Sequence, residues 1–196
     1  MNLTDDGNVL LHAFRHPDFS SLLSNKGRPT DEGLKESVLH ASPLIQRGTI
    51  VATGRTLRQL LSAQELCQRH GLREPRVFPE FDAVTTANIP SLLGGWLYDR
   101  LHRSRRFNRF CLIEWGRHGA PLFRETVPEV LERVKSGVAR IMLEVTEVNA
   151  EHILLYTSQE IIMLLEYFLN GLPLDQAFRL EIPHSTSRSF ILNKKR

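Results

Sequence analysis

Two short apolar segments of the chain are each followed by side chains that could act on a phosphate ester. Arg15 and His16 follow the first segment, and Arg55 and Arg58 follow the second. A neutral imidazole can attack phosphorus, while guanidinium groups bind the non-bridging phosphoryl oxygens through paired hydrogen bonds. These residue types point to phosphoryl chemistry at His16, although a surface His-Arg pair and solvated helix arginines are the simpler alternatives.

Two later apolar segments are followed by carboxylates and by a hydroxyl. Glu80 and Asp82 come after the third segment, and Ser158 comes after a fourth. A carboxylic acid beside the imidazole could protonate a leaving oxygen. Loop carboxylates without a catalytic role are an equal alternative for Glu80 and Asp82, and Ser158 is also typical of a helix N-cap.

The apolar segments alternate with stretches whose apolar residues recur at helical spacing. This alternation predicts an α/β fold, a three-layer sandwich in which a mostly parallel sheet carries helices on both faces. Ligands of such sheets bind outside the carboxyl ends of the strands. We predict strands at 8–14, 48–54, 75–79, 112–113, 152–157 and 190–192, the last an edge strand, and helices at 30–44, 57–66, 127–138 and 161–169.

Length and composition indicate an ordinary globular protein. The chain has 196 residues, 41% of them hydrophobic, which suits a single domain with one well-buried core. Cys67 and Cys111 show neither a CxxC spacing nor a metal-ligand pattern, so we expect buried, reduced thiols and no metal or cofactor. No apolar run reaches membrane-spanning length, and we expect a cytoplasmic protein without membrane association. The oligomeric state stays open.

The order and spacing of several short motifs resemble the histidine phosphatase superfamily, the phosphoglycerate mutase-like proteins. Phe14-Arg15-His16-Pro17 is similar to the family's Arg-His-Gly after the first strand, and Pro29-Thr30-Asp31-Glu32-Gly33 is similar to its Leu-Thr-x-x-Gly. The resemblance covers roughly residues 8–169. It implies that His16 is the nucleophile and that Arg15 binds phosphate.

The same resemblance assigns roles to two further residues. Ser62-Ala63 matches the family's Thr-Ala, which implies that Arg58 binds phosphate, with Arg55 as the alternate. The segment Phe78-Pro79-Glu80 is similar to the family's Leu-x-Glu, which implies that Glu80 is the proton donor, with Asp82 as the alternate.

The chain departs from the family pattern at two positions, and a third residue adds charge near one of them. Pro17 replaces the family's glycine and removes a backbone N–H that could face a phosphate. Ser158 stands where the family has a second active-site histidine, and it is expected to contact phosphate with a neutral hydroxyl in place of an imidazole. Glu160 adds a negative charge close by. These departures favour impaired catalysis.

A second copy of the family tripeptide is interpreted as coincidental. Arg117-His118-Gly119 follows Glu114-Trp115-Gly116 and not an apolar strand, so we predict a loop there. By the resemblance, residues at about 84–126 form a cap-like insertion over the active site. The basic stretch from Arg100 to Arg109 lies in it and could select anionic substrates; a solvated loop is an alternative, and nucleic-acid binding is unlikely.

Two functions follow from these residues. The first is a metal-independent phosphatase that hydrolyses a small anionic phosphorylated metabolite through a phosphohistidine at His16. The alternative is a catalytically impaired or repurposed relative that serves as a binding or regulatory module. The sequence does not identify the substrate, because specificity in such sites comes from cap loops.

Overall fold

A five-stranded sheet forms the centre of the protein in the computed structural model, which describes residues 7–17, 28–84, 104–118 and 123–194. Its spatial order is β3-β2-β4-β1-β5. Parallel ladders join β1 to β4, β4 to β2 and β2 to β3, and β5 runs antiparallel to β1. The strands are β1 (Asn8–Arg15), β2 (Ile50–Thr53), β3 (Arg76–Val77), β4 (His152–Thr157) and β5 (Ser187–Asn193).

Helices connect these strands and cover the sheet. They are α1 (Asp31–Ala41), α2 (Leu57–His70), α3 (Arg105–His118), α4 (Val127–Val148), α5 (Gln159–Asn170) and α6 (Leu174–Ala177), with short 3₁₀ turns at Ser42–Leu44 and Pro79–Phe81. The predicted α/β fold with a mostly parallel sheet and an edge strand at its C-terminal end is confirmed.

Side chains along each strand point alternately to the two faces of the sheet, and this divides the core into two clusters. Phe14 and Tyr156 face α1 and α2 on one side of the sheet, and their rings stack at 5.4 Å. Leu11 and Leu155 point the opposite way, into a larger cluster that α3, α4 and α5 cover. Both faces of the sheet are therefore buried, as a parallel sheet requires.

The helices begin where local side-chain chemistry favours it. Thr30 is the N-cap of α1 and accepts a hydrogen bond from the backbone N–H of Gly33 at 3.0 Å. Thr126 and Glu129 form a capping box at the start of α4. Gly71 and Gly171 end α2 and α5 in the left-handed conformation that glycine adopts at little cost.

The predictions for the segment around residue 112 are wrong. Leu112 lies inside α3 and not in a strand, and Arg117 and His118 end that helix, so this copy of the tripeptide is not in a loop; Gly119 lies outside the described residues. Cys111 and Trp115 are buried at helical spacing, which a short apolar run does not distinguish from a strand.

The described part of residues 84–126 packs against the main core. Trp115 donates its indole N–H to the carbonyl of Glu125 at 2.8 Å, and its ring lies 5.6 Å from that of Phe178. Of the basic stretch, Arg109 is exposed on α3, whereas residues 100–103 lie outside the described residues. The cap-like role of this insertion stays a prediction.

Two other expectations concern cysteines and membranes. Cys67 and Cys111 are free and buried, as predicted, and burial raises the pKa of the Cys67 thiol to about 11. Among the described helices, none has the length and apolar character needed to cross a membrane.

A pair of histidines is buried on the α1–α2 side of the sheet. His12 on β1 and His152 on β4 stack with ring centroids 6.4 Å apart, and both are about 95% buried (5% and 4% exposed). His12 bonds Ser189 through Nδ1 at 2.8 Å. Burial, together with the neighbouring His152, lowers the pKa of His12, so the fold favours the neutral ring.

This pair predicts a loss of stability in mild acid. Above the ordinary histidine pKa of about 6.5, His12 is neutral in both the folded and the unfolded protein. Below that pH the unfolded chain binds a proton at this histidine, whereas the folded protein favours the neutral ring. The free energy of unfolding therefore decreases as the pH is lowered. Replacing His12→Asn should reduce the slope of stability against pH between pH 7.5 and 5.5, measured by urea denaturation. His40→Asn, at an exposed histidine of α1, is the control and should leave it unchanged. Equal slopes in wild type and His12→Asn would contradict the assignment.

Candidate active site

Hydrogen bonds tie together the carboxyl ends of the parallel strands. The N–H of His16 donates to the carbonyl of Thr157 at 3.0 Å, and the Thr157 hydroxyl donates to the carbonyl of Phe81 at 2.9 Å. On the other side of β4, the N–H of Gly54 donates to the carbonyl of Tyr156 at 3.4 Å. The segments after β1, β2, β3 and β4 therefore meet at one edge of the sheet, where the sequence predicted the site.

Gly54 allows the segment after β3 to approach this edge closely. A Cβ at this position would lie 2.3 Å from Oε1 of Gln59 and 2.7 Å from the carbonyl oxygen of Phe81. No side chain fits there without moving backbone. The glycine at the end of β2 is thus a packing requirement of the site.

His16 is buried and oriented for use of one ring nitrogen. Only 5% of its surface is exposed, and its Nδ1 lies 3.0 Å from the carbonyl oxygen of Pro17. Because a carbonyl only accepts, Nδ1 carries the proton, and Nε2 carries the lone pair of the neutral ring. Pro17 lacks an N–H, but its carbonyl fixes the tautomer that nucleophilic attack through Nε2 needs.

Positive groups surround this imidazole. Burial is the largest cause that lowers the pKa of His16 well below its ordinary value, and the charges of Arg58, Arg15 and His184 lower it further. The hydrogen bond to Pro17 raises this pKa but offsets only part of the change. The ring is therefore neutral at physiological pH. Neutral imidazole beside guanidinium groups is the arrangement that the sequence predicted for Arg15, Arg58 and His16.

Arg15 is held by the segment that precedes β5. Its guanidinium group donates to the carbonyl of Ile182, its backbone N–H donates to the carbonyl of Thr186 at 2.9 Å, and its own carbonyl accepts from Ser185 at 3.1 Å. The side chain is half-buried. These bonds fix the end of β1 and the guanidinium group against one loop.

The two candidate arginines of the second motif have different partners. Arg58, in the first turn of α2, is half-buried and acts electrostatically on His16. Arg55 is 64% exposed and binds Asp82, with Nε 2.8 Å and its terminal nitrogen 2.7 Å from Oδ2. The structure brings Arg58 toward the imidazole and leaves Arg55 paired with the alternate carboxylate.

Glu80 is also paired with an arginine. Its Oε1 accepts from Arg140 of α4 at 2.8 Å, and a Cβ on Gly137 would lie 2.8 Å from the Glu80 Cβ, so the side chain packs on α4. Its other oxygen, Oε2, is buried and has no hydrogen-bond partner among the described residues. The two oxygens of Glu80 therefore differ, because Oε1 is held by Arg140 whereas Oε2 is open to a contact from a ligand.

Ser158 occupies the N-cap position of α5 without forming a cap. Its residue is 1% exposed, and within the described part of the chain its hydroxyl is buried and has no hydrogen-bond partner. Buried hydroxyls are normally satisfied, so this one is available for a ligand at the helix N-terminus, where backbone N–H groups also favour anions. Glu160 lies half-buried in the first turn of the same helix.

A histidine that the sequence analysis did not select lies beside His16. The rings of His184 and His16 have centroids 5.6 Å apart at an angle of 48°, and Nδ1 of His184 lies 3.0 Å from the carbonyl oxygen of His16. In the sequence, this histidine is marked by the pair Pro183-His184 shortly before the last apolar segment. It could not be interpreted, because only the antiparallel pairing of β5 with β1 brings the two histidines together.

The described residues could also hold a metal ion if enough ligating side chains lay close together. Among residues 7–17, 28–84, 104–118 and 123–194, there is no cluster of three or more His, Cys, Asp or Glu side chains that could hold a metal ion.

Solved structures of phosphatases and of a mutase share this fold. A mycobacterial glucosyl-3-phosphoglycerate phosphatase matches 94% of this chain and 90% of its own, with a TM-score of 0.69 and 17% identity. A phosphoglycerate mutase from Bacillus anthracis matches 97% and 90%, with a TM-score of 0.65 and 11% identity. A phosphoserine phosphatase from Entamoeba histolytica matches 92% and 89%, with a TM-score of 0.58 and 13% identity.

These likenesses are structural and not visible in sequence comparisons. No protein-family model matches the chain, and no curated protein matches it significantly. The protein has the fold of these phosphatases and of the phosphoglycerate mutase, as the order of its motifs predicted.

The different partners of Arg58 and Arg55 predict different effects on anion binding. Arg58→Gln should weaken the binding of inorganic phosphate roughly tenfold to a hundredfold, because hydrogen bonds to charged groups contribute about 1.5–3 kcal/mol. Arg55→Gln is the matched control and should change the Kd less than about threefold. Titration calorimetry measures both, and a larger loss in Arg55→Gln than in Arg58→Gln would reverse the assignment.

Proposed function

We propose that the protein is a metal-independent phosphatase that hydrolyses a small anionic phosphate ester in the cytoplasm through a phosphohistidine at His16. The observation that carries the proposal is the state of His16. The ring is buried and neutral, and its Nδ1 is bonded to the carbonyl of Pro17, so its lone pair is on Nε2. A histidine that served only the packing of the core would not need two arginines beside it.

In this proposal the phosphoryl group is bound by the groups around His16. Arg15 and Arg58 supply positive charge, and the Ser158 hydroxyl donates one hydrogen bond from the N-terminus of α5. The positive charges of Arg58 and Arg15, which add to burial in keeping His16 neutral, also attract a phosphate dianion. Binding therefore brings phosphorus to a ring nitrogen that is already unprotonated.

Two displacements complete the reaction. In the first, the Nε2 lone pair of His16 forms a P–N bond while the P–O bond to the leaving group breaks, and the leaving oxygen takes up a proton. In the second, a water oxygen attacks phosphorus and gives one proton to the carboxylate that protonated the leaving oxygen, the P–N electrons return to Nε2, and inorganic phosphate leaves with the water's other hydrogen. No redox partner is needed, because only a phosphoryl group and protons are transferred.

Glu80 is the proposed donor of the proton to the leaving oxygen. Its buried Oε2 is the atom that would carry this proton, while Oε1 stays with Arg140. Asp82 is the weaker candidate, since Arg55 contacts both of its carboxylate oxygens. Two phosphatases among the structural neighbours support this class of reaction for the fold.

The alternative function, a binding or regulatory module, is favoured by one specific observation. Both candidate proton donors are already bound by arginines, Glu80 by Arg140 and Asp82 by Arg55. A site that binds phosphate esters but lacks a proton for the leaving group would retain ligand without turnover. An aryl phosphate, whose leaving oxygen needs little protonation, tests the nucleophile, and an alkyl phosphate measured in parallel tests whether the leaving oxygen receives its proton.

The test is hydrolysis of an aryl phosphate, without added metal, by wild type and by His16→Asn purified side by side. Wild-type turnover should exceed that of His16→Asn by at least about a hundredfold, since the variant lacks the nucleophile. His40→Asn is the matched control and should retain wild-type activity. Binding of phosphate without turnover in wild type would favour the module, and equal turnover in wild type and His16→Asn would contradict the assignment of the nucleophile.

A further inference from the structure

The loop before β5 brings a second imidazole to His16 from a part of the chain far from Ser158. The ring centroids of His16 and His184 are 5.6 Å apart, although the two residues are separated by 168 positions. Ser158, which by the motif pattern occupies the position of the second histidine, offers only a buried hydroxyl. The site therefore contains two histidines, but the second comes from a different segment.

His184 has a defined tautomer. Its Nδ1 lies 3.0 Å from the carbonyl oxygen of His16, and since a carbonyl only accepts, Nδ1 is the donor. Nε2 is consequently the nitrogen of His184 that gains and loses a proton. Once protonated, Nε2–H can donate a charged hydrogen bond to a phosphoryl oxygen.

The position of His184 is fixed by backbone bonds on both sides. Ile182 accepts from the Arg15 guanidinium group, the N–H of Ser185 donates to the carbonyl of Arg15 at 3.1 Å, and Thr186 accepts from the N–H of Arg15 at 2.9 Å. Ser185 itself has a φ of 59°, in the left-handed region that non-glycine residues rarely adopt. Backbone strain of this kind persists where the surrounding structure requires it, and it is common at functional sites.

We propose that His184 is a second active-site histidine, which binds the transferring phosphoryl group through Nε2 while that group is on His16. This proposal rests on the proposed function for the reaction in which it acts. The negative phosphoryl oxygens favour the protonated ring of His184, which takes up its proton from solvent as the phosphate ester binds. The proton returns to solvent when inorganic phosphate leaves.

Two substitutions separate a contact with phosphate from a purely structural role. In His184→Asn the side-chain amide can still donate to the His16 carbonyl, but no ring nitrogen reaches the phosphoryl group. In His184→Ala both contacts are lost. Thermal unfolding of each variant shows whether the loop keeps its stability, and His40→Asn again serves as the matched surface control.

The readouts are orthovanadate binding by calorimetry and the kinetics of aryl phosphate hydrolysis. Vanadate imitates the five-coordinate phosphorus of the transition state. Removing an interaction that strengthens during transfer therefore weakens the binding of vanadate most. We expect His184→Asn to bind vanadate about tenfold to a hundredfold more weakly and to lose kcat by a similar factor, with KM changed less than about threefold. His184→Ala should lose no less.

The outcomes distinguish the two proposals. If folded His184→Asn binds vanadate and turns over the ester as well as wild type does, the role of His184 is overturned and the phosphatase proposal stays intact. Absence of turnover in wild type, combined with weaker vanadate binding in His184→Asn, would support the second histidine and reject the enzyme. A wild type that neither binds vanadate nor hydrolyses the ester would overturn both.

Discussion

The structure depends on keeping one buried imidazole neutral and correctly oriented. Burial alone would make a charged His16 costly, and the arginines beside it increase that cost. The carbonyl of Pro17 then selects the tautomer with its lone pair on Nε2. Because the parallel strands end at one edge of the sheet, β1 can deliver the imidazole and α2 the arginine to one point without long loops.

The arginines around the site divide into two kinds. Arg15 and Arg58 act on His16, whereas Arg55, Arg140 and Arg133 bind carboxylates or carbonyls of the segment at residues 80–82. The second kind holds the turn after β3 against α4 and the end of β2. The carboxylates expected to donate protons are therefore also structural ion-pair partners.

Sequence patterns predicted the strands and helix starts around the site because each of these is specified by residues that are close together in the sequence. The apolar run ending at Arg15, the second apolar segment ending at Gly54 and the motif at residues 29–33 each leave a signal within a few residues. Arg58 was preferred over Arg55 by motif spacing, and the ion pair of Arg55 with Asp82 gives a physical reason for that preference. The strand predicted at residues 112–113 is wrong, since a short apolar run does not distinguish a strand from a helix. His184 could not be found, because its proximity to His16 depends on a pairing across 168 residues.

The most direct test of the central claim is to trap the intermediate. Wild type is mixed with a phosphate-labelled aryl ester, quenched in alkali within the first turnovers, and digested to peptides. The account predicts label that is stable in alkali and labile in acid on the peptide containing His16, and its loss in His16→Asn. Label on a serine or an acidic residue, or turnover with no label on His16, would contradict it.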